Sequence, residues 1–292
     1  MPDLAITPLE DMTALAVRGA DAATFLQGQL SQDIGLLAER GALLAGLHNP
    51  QGRCLAVLRL FHLGSDQIIM VLPAEIAETV RAHLARHVLR ARARIEDASS
   101  IWRVYGLTGP DAAAAAETRL HLSLETDGFR QLILAPRGEP LPQGHTANRD
   151  DWRVADIEGG MPEVLAATAG EFVAQMLNLD ALGAISFNKG CYTGQEIIAR
   201  AHYRGQVKRR MQLFHTDRPE PLLPGERVVL GDGRRAQVVL AAAIEDGGQE
   251  FLAVTALPAA AGPGTAETQT MPPVGAPRMQ TMEMPLPYPL PS

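Results

Sequence analysis

Short apolar runs, each closed by glycine, proline or a polar turn and often separated by a single helical stretch, constrain this chain's fold more than any other feature. Residues 13–18, 42–47, 53–61, 67–72, 101–107 and 129–135 read as strands between turn signals, with Asn49-Pro50-Gln51-Gly52 joining two of them. Asp21 and Ala22 open a helix carrying Phe25, Leu26 and Leu30. After Pro73, Ile76, Val80, Leu84 and Val88 recur every four residues, which marks one face of a second helix. Gly109-Pro110-Asp111 precedes an alanine-rich third helix. This pattern predicts an α+β layer with helices on one face. Residues 136–149 hold three prolines and two glycines and read as a linker, with order resuming at 152–157. Strands at 208–214, 227–230, 237–244 and 251–256 predict a small C-terminal β-barrel or sandwich. Residues 258–277 read as a flexible Ala-, Gly-, Pro- and Thr-rich excursion, and 279–288 as a returning edge strand.

Composition narrows the function classes. A chain of 292 residues is expected to form two or three cooperating domains. No apolar run approaches the roughly 20 residues that span a bilayer. Glu10 and Asp11 follow the N-terminus closely, unlike a basic, apolar secretion signal, so a cytoplasmic location and no direct membrane contact are expected. Two cysteines, Cys54 and Cys191, exclude a disulfide scaffold, and no C-x-x-C pair is present, so no metal site is assigned. A net charge of -7 gives no strong sign of nucleic-acid binding. No G-x-G-x-x-G fingerprint supports nicotinamide or flavin chemistry.

The cations are nevertheless uneven. Between 189 and 210, Lys189, Arg200, Arg204, Lys208, Arg209 and Arg210 are opposed by Glu196 alone, which predicts an anion site. The second cluster, Arg81, Arg86, Arg90, Arg92 and Arg94, reads as a solvated face. Within the first segment Cys191 lies between Gly190 and Gly194, so the backbone can turn sharply and leave the thiol approachable. Positive neighbours such as Lys189 favour thiolate, the reactive and metal-binding form. Thr193 and Glu196 fit a capping box ahead of Ile197 and Ile198, which places the loop at a helix N-terminus. Cys54, in the run Cys54-Leu55-Ala56-Val57-Leu58, reads instead as a buried small hydrophobe.

The run Lys189-Gly190-Cys191-Tyr192-Thr193-Gly194-Gln195-Glu196, followed by Ile197-Ile198-Ala199-Arg200, resembles the signature of the YgfZ proteins, bacterial relatives of the glycine-cleavage T-protein. Phe25-Leu26-Gln27-Gly28-Gln29, the Gly52 hairpin, Asn178-Leu179 through Phe187, and Pro285-Leu286-Pro287-Tyr288 carry the resemblance across nearly the whole chain. It implies a T-protein-like multidomain ring of α+β class around a central folate channel, with a C-terminal β-barrel. Residues 1–149 would form the N-terminal folate-binding region with a ferredoxin-like element. Residues 150–207 would complete the pocket, and 208–292 would form the barrel. It implies tetrahydrofolate or a derivative as cofactor, and iron–sulfur client or assembly proteins as partners, including a tRNA-thiolating enzyme. The family cysteine falls on Cys191. Glu158 matches a pterin-contacting glutamate, suited to accept paired N–H donors. Trp152 matches a folate-contacting tryptophan, suited to ring stacking.

Two departures accompany these matches. Met12 stands where the family has a second folate-contacting tryptophan. Thr79 stands where the T-protein has its catalytic aspartate, which argues against aminomethyl transfer. The leading expectation is therefore a folate-dependent factor for iron–sulfur maintenance acting through Cys191 and Lys189. The alternative is an aminomethyltransferase or demethylase of the T-protein class. A thiol hydrolase pairing Cys191 with His202, and a docking adaptor without chemistry, are weaker readings. Arg200, Arg204 or Lys208 would receive the anionic folate tail.

Overall fold

The computed structural model describes residues 3–291 apart from 65, 125–127, 206, 246 and 258–277, so the expected excursion lies outside the described residues. In chain order the elements are β1 (Ala5–Pro8), β2 (Met12–Arg18), α1 (Ala22–Gln27), α2 (Leu37–Arg40), β3 (Ala42–His48), β4 (Cys54–His62) and β5 (Gln67–Pro73). Then come α3 (Ala74–Ala85), β6 (Arg94–Asp97), β7 (Trp102–Thr108), α4 (Ala112–Ala116), β8 (Leu120–Ser123), β9 (Arg130–Pro136) and β10 (His145–Thr146). The rest are α5 (Arg149–Glu158), α6 (Gln195–Tyr203), β11 (Arg209–Thr216), β12 (Arg227–Val229), β13 (Arg235–Ala243), β14 (Gln249–Ala256) and β15 (Met282–Met284).

They form three five-stranded sheets, ordered β3-β4-β5-β2-β6, β10-β1-β7-β9-β8 and β12-β13-β14-β11-β15. The first sheet is covered on both faces, and strand alternation decides which residue goes where. Leu15, Val17, Ile68, Met70 and Leu72 join Ile76, Val80 and Leu84 of α3 in one core. Met12, Ala14, Ala16, Ile69 and Val71 turn the other way and meet Val104, Leu132 and Leu134 of the second sheet, with Trp152 from α5. Double coverage explains why β3 to β5 are apolar almost without interruption. Helices α1, α2 and α3 pack on the first of these faces, and the second sheet with Trp152 of α5 covers the other.

The segment between α5 and α6 is the mortar between the first and third sheets. Phe172, Leu177, Leu179 and Ile185 share a core with Val57 on one side and Met211, Leu213 and Leu252 on the other. Arg210 is buried and fixes this segment through a two-point ion pair with Asp180 at 2.8 and 2.9 Å. Asn178 donates to the Met211 carbonyl (2.9 Å), and the Tyr288 hydroxyl donates to the Gly160 carbonyl (2.7 Å). The terminal Pro-Leu-Pro-Tyr stretch is thus a structural tie.

Two expectations change. The linker at 136–149 is pinned, because His145 and Thr146 pair in parallel with β1 and Asn148 caps α5 by accepting from the Asp150 N–H. Among the described residues the C-terminal sheet does not close into a barrel by strand pairing. Residues 279–284 bridge its two edges instead, β15 pairing with β11 while the Met279 N–H donates to the Val229 carbonyl at 2.8 Å.

Gly106 in β7 lies under the Trp152 ring, where an added Cβ would fall 2.2 Å from a ring carbon. Gly106→Ala is expected to lower the unfolding free energy by about 1–3 kcal/mol through overpacking, measured by urea denaturation.

Candidate functional site

Three of the sequence signatures, distant in the chain, meet at one place. The Lys189 ammonium reaches the turn after α1 and donates to the carbonyls of Gln27 (2.8 Å), Leu30 (2.7 Å) and Gln32 (2.8 Å). The Thr193 N–H donates to the Gly28 carbonyl (3.2 Å), and the Ser186 N–H to the Ser31 carbonyl (2.9 Å). The Ser31 hydroxyl donates to the Ala184 carbonyl (2.7 Å), and the Gln32 side-chain amide to the Gly183 carbonyl. Residues 27–32 and 183–193 are thereby laced together. The Gly52 hairpin closes the third side. A Cβ on Gly194 would stand 2.6 Å from the Asn49 carbonyl oxygen and 3.0 Å from the Gly52 Cα. Gly194 has φ +84° and Gly52 φ +70°, a conformation and an approach that glycine alone accommodates.

This clasp presents the thiol. Lys189 and Tyr192 are buried, while Gly190 and Cys191 between them are exposed. The ammonium lies 5.1 Å from the Tyr192 ring centroid. Burial pulls the Lys189 pKa down to about 8 and pushes the Tyr192 hydroxyl up to about 12. Two anchored side chains therefore hold a two-residue exposed tip. Cys54 is the opposite case: it is fully buried, its thiol donates to the Ala56 carbonyl (3.3 Å), and burial pushes its pKa up to about 12.

Several expectations are corrected here. Lys189 spends its ammonium on inward carbonyls, so it positions the Cys191 loop. The Thr193–Glu196 capping box does not form. Gly194 occupies the N-cap of α6 without a side-chain cap, because its contact with Gly52 dictates the backbone there. The local cations are not one anion site either: Arg210 is buried against Asp180, and Arg200 pairs with Glu196 at 3.1 Å. Arg204 and Lys208 are exposed. His202 stacks on Phe187 with ring centroids 3.7 Å apart, and no hydrogen bond joins it to Cys191 among the described residues. Arg81 pairs with Glu78 and Arg92 with Asp21 at the surface, in keeping with a solvated face.

The residues matched to folate contacts do not form one pocket. Trp152 is 3% exposed, with the Arg130 guanidinium 4.5 Å over its ring, so it offers no open face for stacking. Met12 belongs to the same core. Glu158 ends α5 and is exposed; six residues after Trp152, it is displaced about 9 Å along the axis and rotated to another face. Thr79 is exposed on α3, so its side chain carries no information about a catalytic carboxylate.

The sequence reading missed the part played by four residues. Gln27, Leu30 and Gln32 act through backbone carbonyls, which side-chain identity does not announce. His48, beside the Asn49–Gly52 turn, is fully buried against Gly46 and Gly194, with no hydrogen-bond partner for either ring nitrogen among the described residues. Burial pushes its pKa down to about 3, so it is a neutral filler under the loop.

Two measurements test this geometry. Titration with a thiol reagent is expected to find one reactive cysteine in the native protein, two after denaturation, and none in native Cys191→Ser. Lys189→Met leaves buried carbonyls unpaired and is expected to cost about 2–3 kcal/mol in urea unfolding. The pH dependence has a defined sign. The Lys189 pKa is about 8 folded and near 10.5 unfolded, so between these values the unfolded chain binds more protons. Wild-type stability gains a component that rises with pH there, and Lys189→Met is expected to remove it.

Comparison with known proteins gives the family and a likeness of fold. The model of the GCVT N-terminal domain matches residues 3–134. The tRNA-modifying protein YgfZ of Serratia proteamaculans (strain 568) is 34% identical over 232 residues, covering 71% of this chain and 70% of that protein. Its namesake from Escherichia coli (strain K12 / DH10B) is 32% identical over 275 residues, covering 84% and 83%. The glycine cleavage system aminomethyltransferase T from Bartonella henselae superposes with a TM-score of 0.63 at 18% identity, over 87% of this chain and 78% of that one, a likeness of fold. With such identity to relatives across more than two thirds of their length, the chain belongs to the YgfZ family.

Proposed function

We propose that this protein is a tetrahydrofolate-binding factor that supports tRNA modification by sustaining iron–sulfur clusters in client enzymes, with Cys191 as its reacting group. The observation that carries the reading is the clasp, in which three separate signatures cooperate to hold one thiol at the surface. An exposed thiol on a rigid tip is suited to exchange with a partner, whereas a flexible one would lose entropy on docking. The names of the relatives support the tRNA link. The T-protein-like fold supports the folate link. Trp152, Met12 and Glu158 do not fit a shared folate pocket, so no step is assigned to the cofactor.

The cluster is cargo in this reading. Among the described residues no group of three His, Cys, Asp or Glu side chains could hold a metal ion. Cys191 supplies one ligand, and a cluster passing over it takes the others from a partner or a small thiol. A second reading, folate-dependent aminomethyl transfer, draws on the fold likeness alone; formation of methylene-tetrahydrofolate from an aminomethyl donor would establish it.

The decisive test is complementation. In cells lacking their own relative of this protein, the wild type is expected to restore thiolated tRNA and Cys191→Ser to lose most of that restoration. Full rescue by Cys191→Ser would refute the thiol's role. Tetrahydrofolate is expected to raise the unfolding midpoint of the wild type by mass action, and an unchanged midpoint refutes the folate half.

A further inference from the structure

Beside the clasp, the C-terminal half of α6 carries an aromatic group that the reading above does not use. Phe187 is half-buried and roots it. His202 stacks on Phe187 at 3.7 Å with only 12° between the planes. Tyr203 stands edge-on to His202, 4.7 Å away at 77°, and is 64% exposed. Because Phe187 meets one end of α6 and Gly194 caps the other, the loop carrying Cys191 runs back alongside the helix.

The charge along α6 and the residues just after it is one-sided. Arg200, Arg204 and Lys208 are exposed on the same helix and just beyond it, and Glu196, the one acid in the segment, already pairs with Arg200. Burying a tyrosine edge and two further cations against an apolar protein surface would be unfavourable. A protein interface core is marked by contiguous apolar area and depleted charge. Among the described residues the other large exposed hydrophobics are Leu89, Ile101, Phe129, Leu223 and Met282, none of them in this segment. Exposed π-faces with flanking cations are instead what an unpaired nucleotide needs, a ring to stack on and a charge for its phosphate. The net charge of -7 does not oppose this, since screening confines each charge to its own surroundings, within about 8 Å at physiological salt.

We infer that the Phe187–His202–Tyr203 group, with Arg204 and Lys208, is a docking surface for unpaired nucleotides of an RNA. The inference rests on the tRNA reading for its choice of polymer.

The test uses the full-length protein and a labelled single-stranded RNA oligonucleotide, followed by fluorescence anisotropy. Wild type is expected to bind at ~50 mM salt, with affinity falling as salt rises. Tyr203→Ala is expected to weaken binding by about five-fold or more. Arg204→Ala and Lys208→Ala are each expected to lower the slope of log affinity against log salt by roughly 0.7. All three side chains are exposed, so these variants should fold, as circular dichroism would verify. Absence of binding at low salt overturns the inference, as does a Tyr203→Ala variant that binds like wild type. So does competition by tetrahydrofolate, which would make this a folate surface. Cys191→Ser is expected to bind RNA normally, so failure of the docking surface is distinguishable from failure of the thiol in complementation.

Discussion

Three backbone carbonyls receive the Lys189 ammonium, and the presentation of Cys191 depends on that contact. The Gln27 carbonyl belongs to the last residue of α1, where the final carbonyls lack helical partners and carry partial negative charge. A cation therefore completes a helix end and simultaneously ties down a loop some 160 residues later. A carboxylate in the same place would bind more strongly. The carbonyls, however, belong to rigid backbone, so they fix the ammonium's position through three directions at once. Tyr192 closes the other side of the tip, and the Gly52–Gly194 contact prevents the loop from lifting.

Much of the fold was legible because successive residues of a strand face opposite sides of its sheet. The split of Leu15 and Val17 from Ala14 and Ala16 into different cores is the same alternation that marks β2 as a strand. What alternation does not contain is which sheet covers the second face, since that depends on β7 and β9 returning beside α5. The capping box shows a different limit. Thr193 and Glu196 satisfy the local rule, but a long-range glycine contact overrides it. Glu158 and Thr79 were matched by position along the chain, and both prove to point into solvent. In α5 the buried residues are Trp152, Asp156 and Ile157, a helical stripe that already leaves Glu158 outside it.

Counting charge along a segment likewise overstated its availability. A cation contributes to a binding surface only if its charge is not spent within the fold. Arg210 is spent on Asp180, and Lys189 on carbonyls. The cations that survive this subtraction lie at the far end of α6, away from the loop where charge density first pointed. The exposed aromatic rings are at that same end, and the agreement between two unrelated features gives the location its meaning.

The contrast between the two cysteines limits the chemistry that the exposed one can perform. A thiolate that becomes oxidised or takes up a sulfur or metal species needs a second group to release it. Cys54 cannot supply that group. It lies in the core between the first and third sheets, and burial holds its thiol protonated far above neutral pH. Reaching Cys191 would require opening the packing that β4 shares with the segment before α6. In the proposed function, a cycle at Cys191 would therefore be completed by a thiol or ligand from outside the chain. A tip made of one glycine and one cysteine, exposed and firmly anchored on both sides, is the geometry that such an intermolecular step demands.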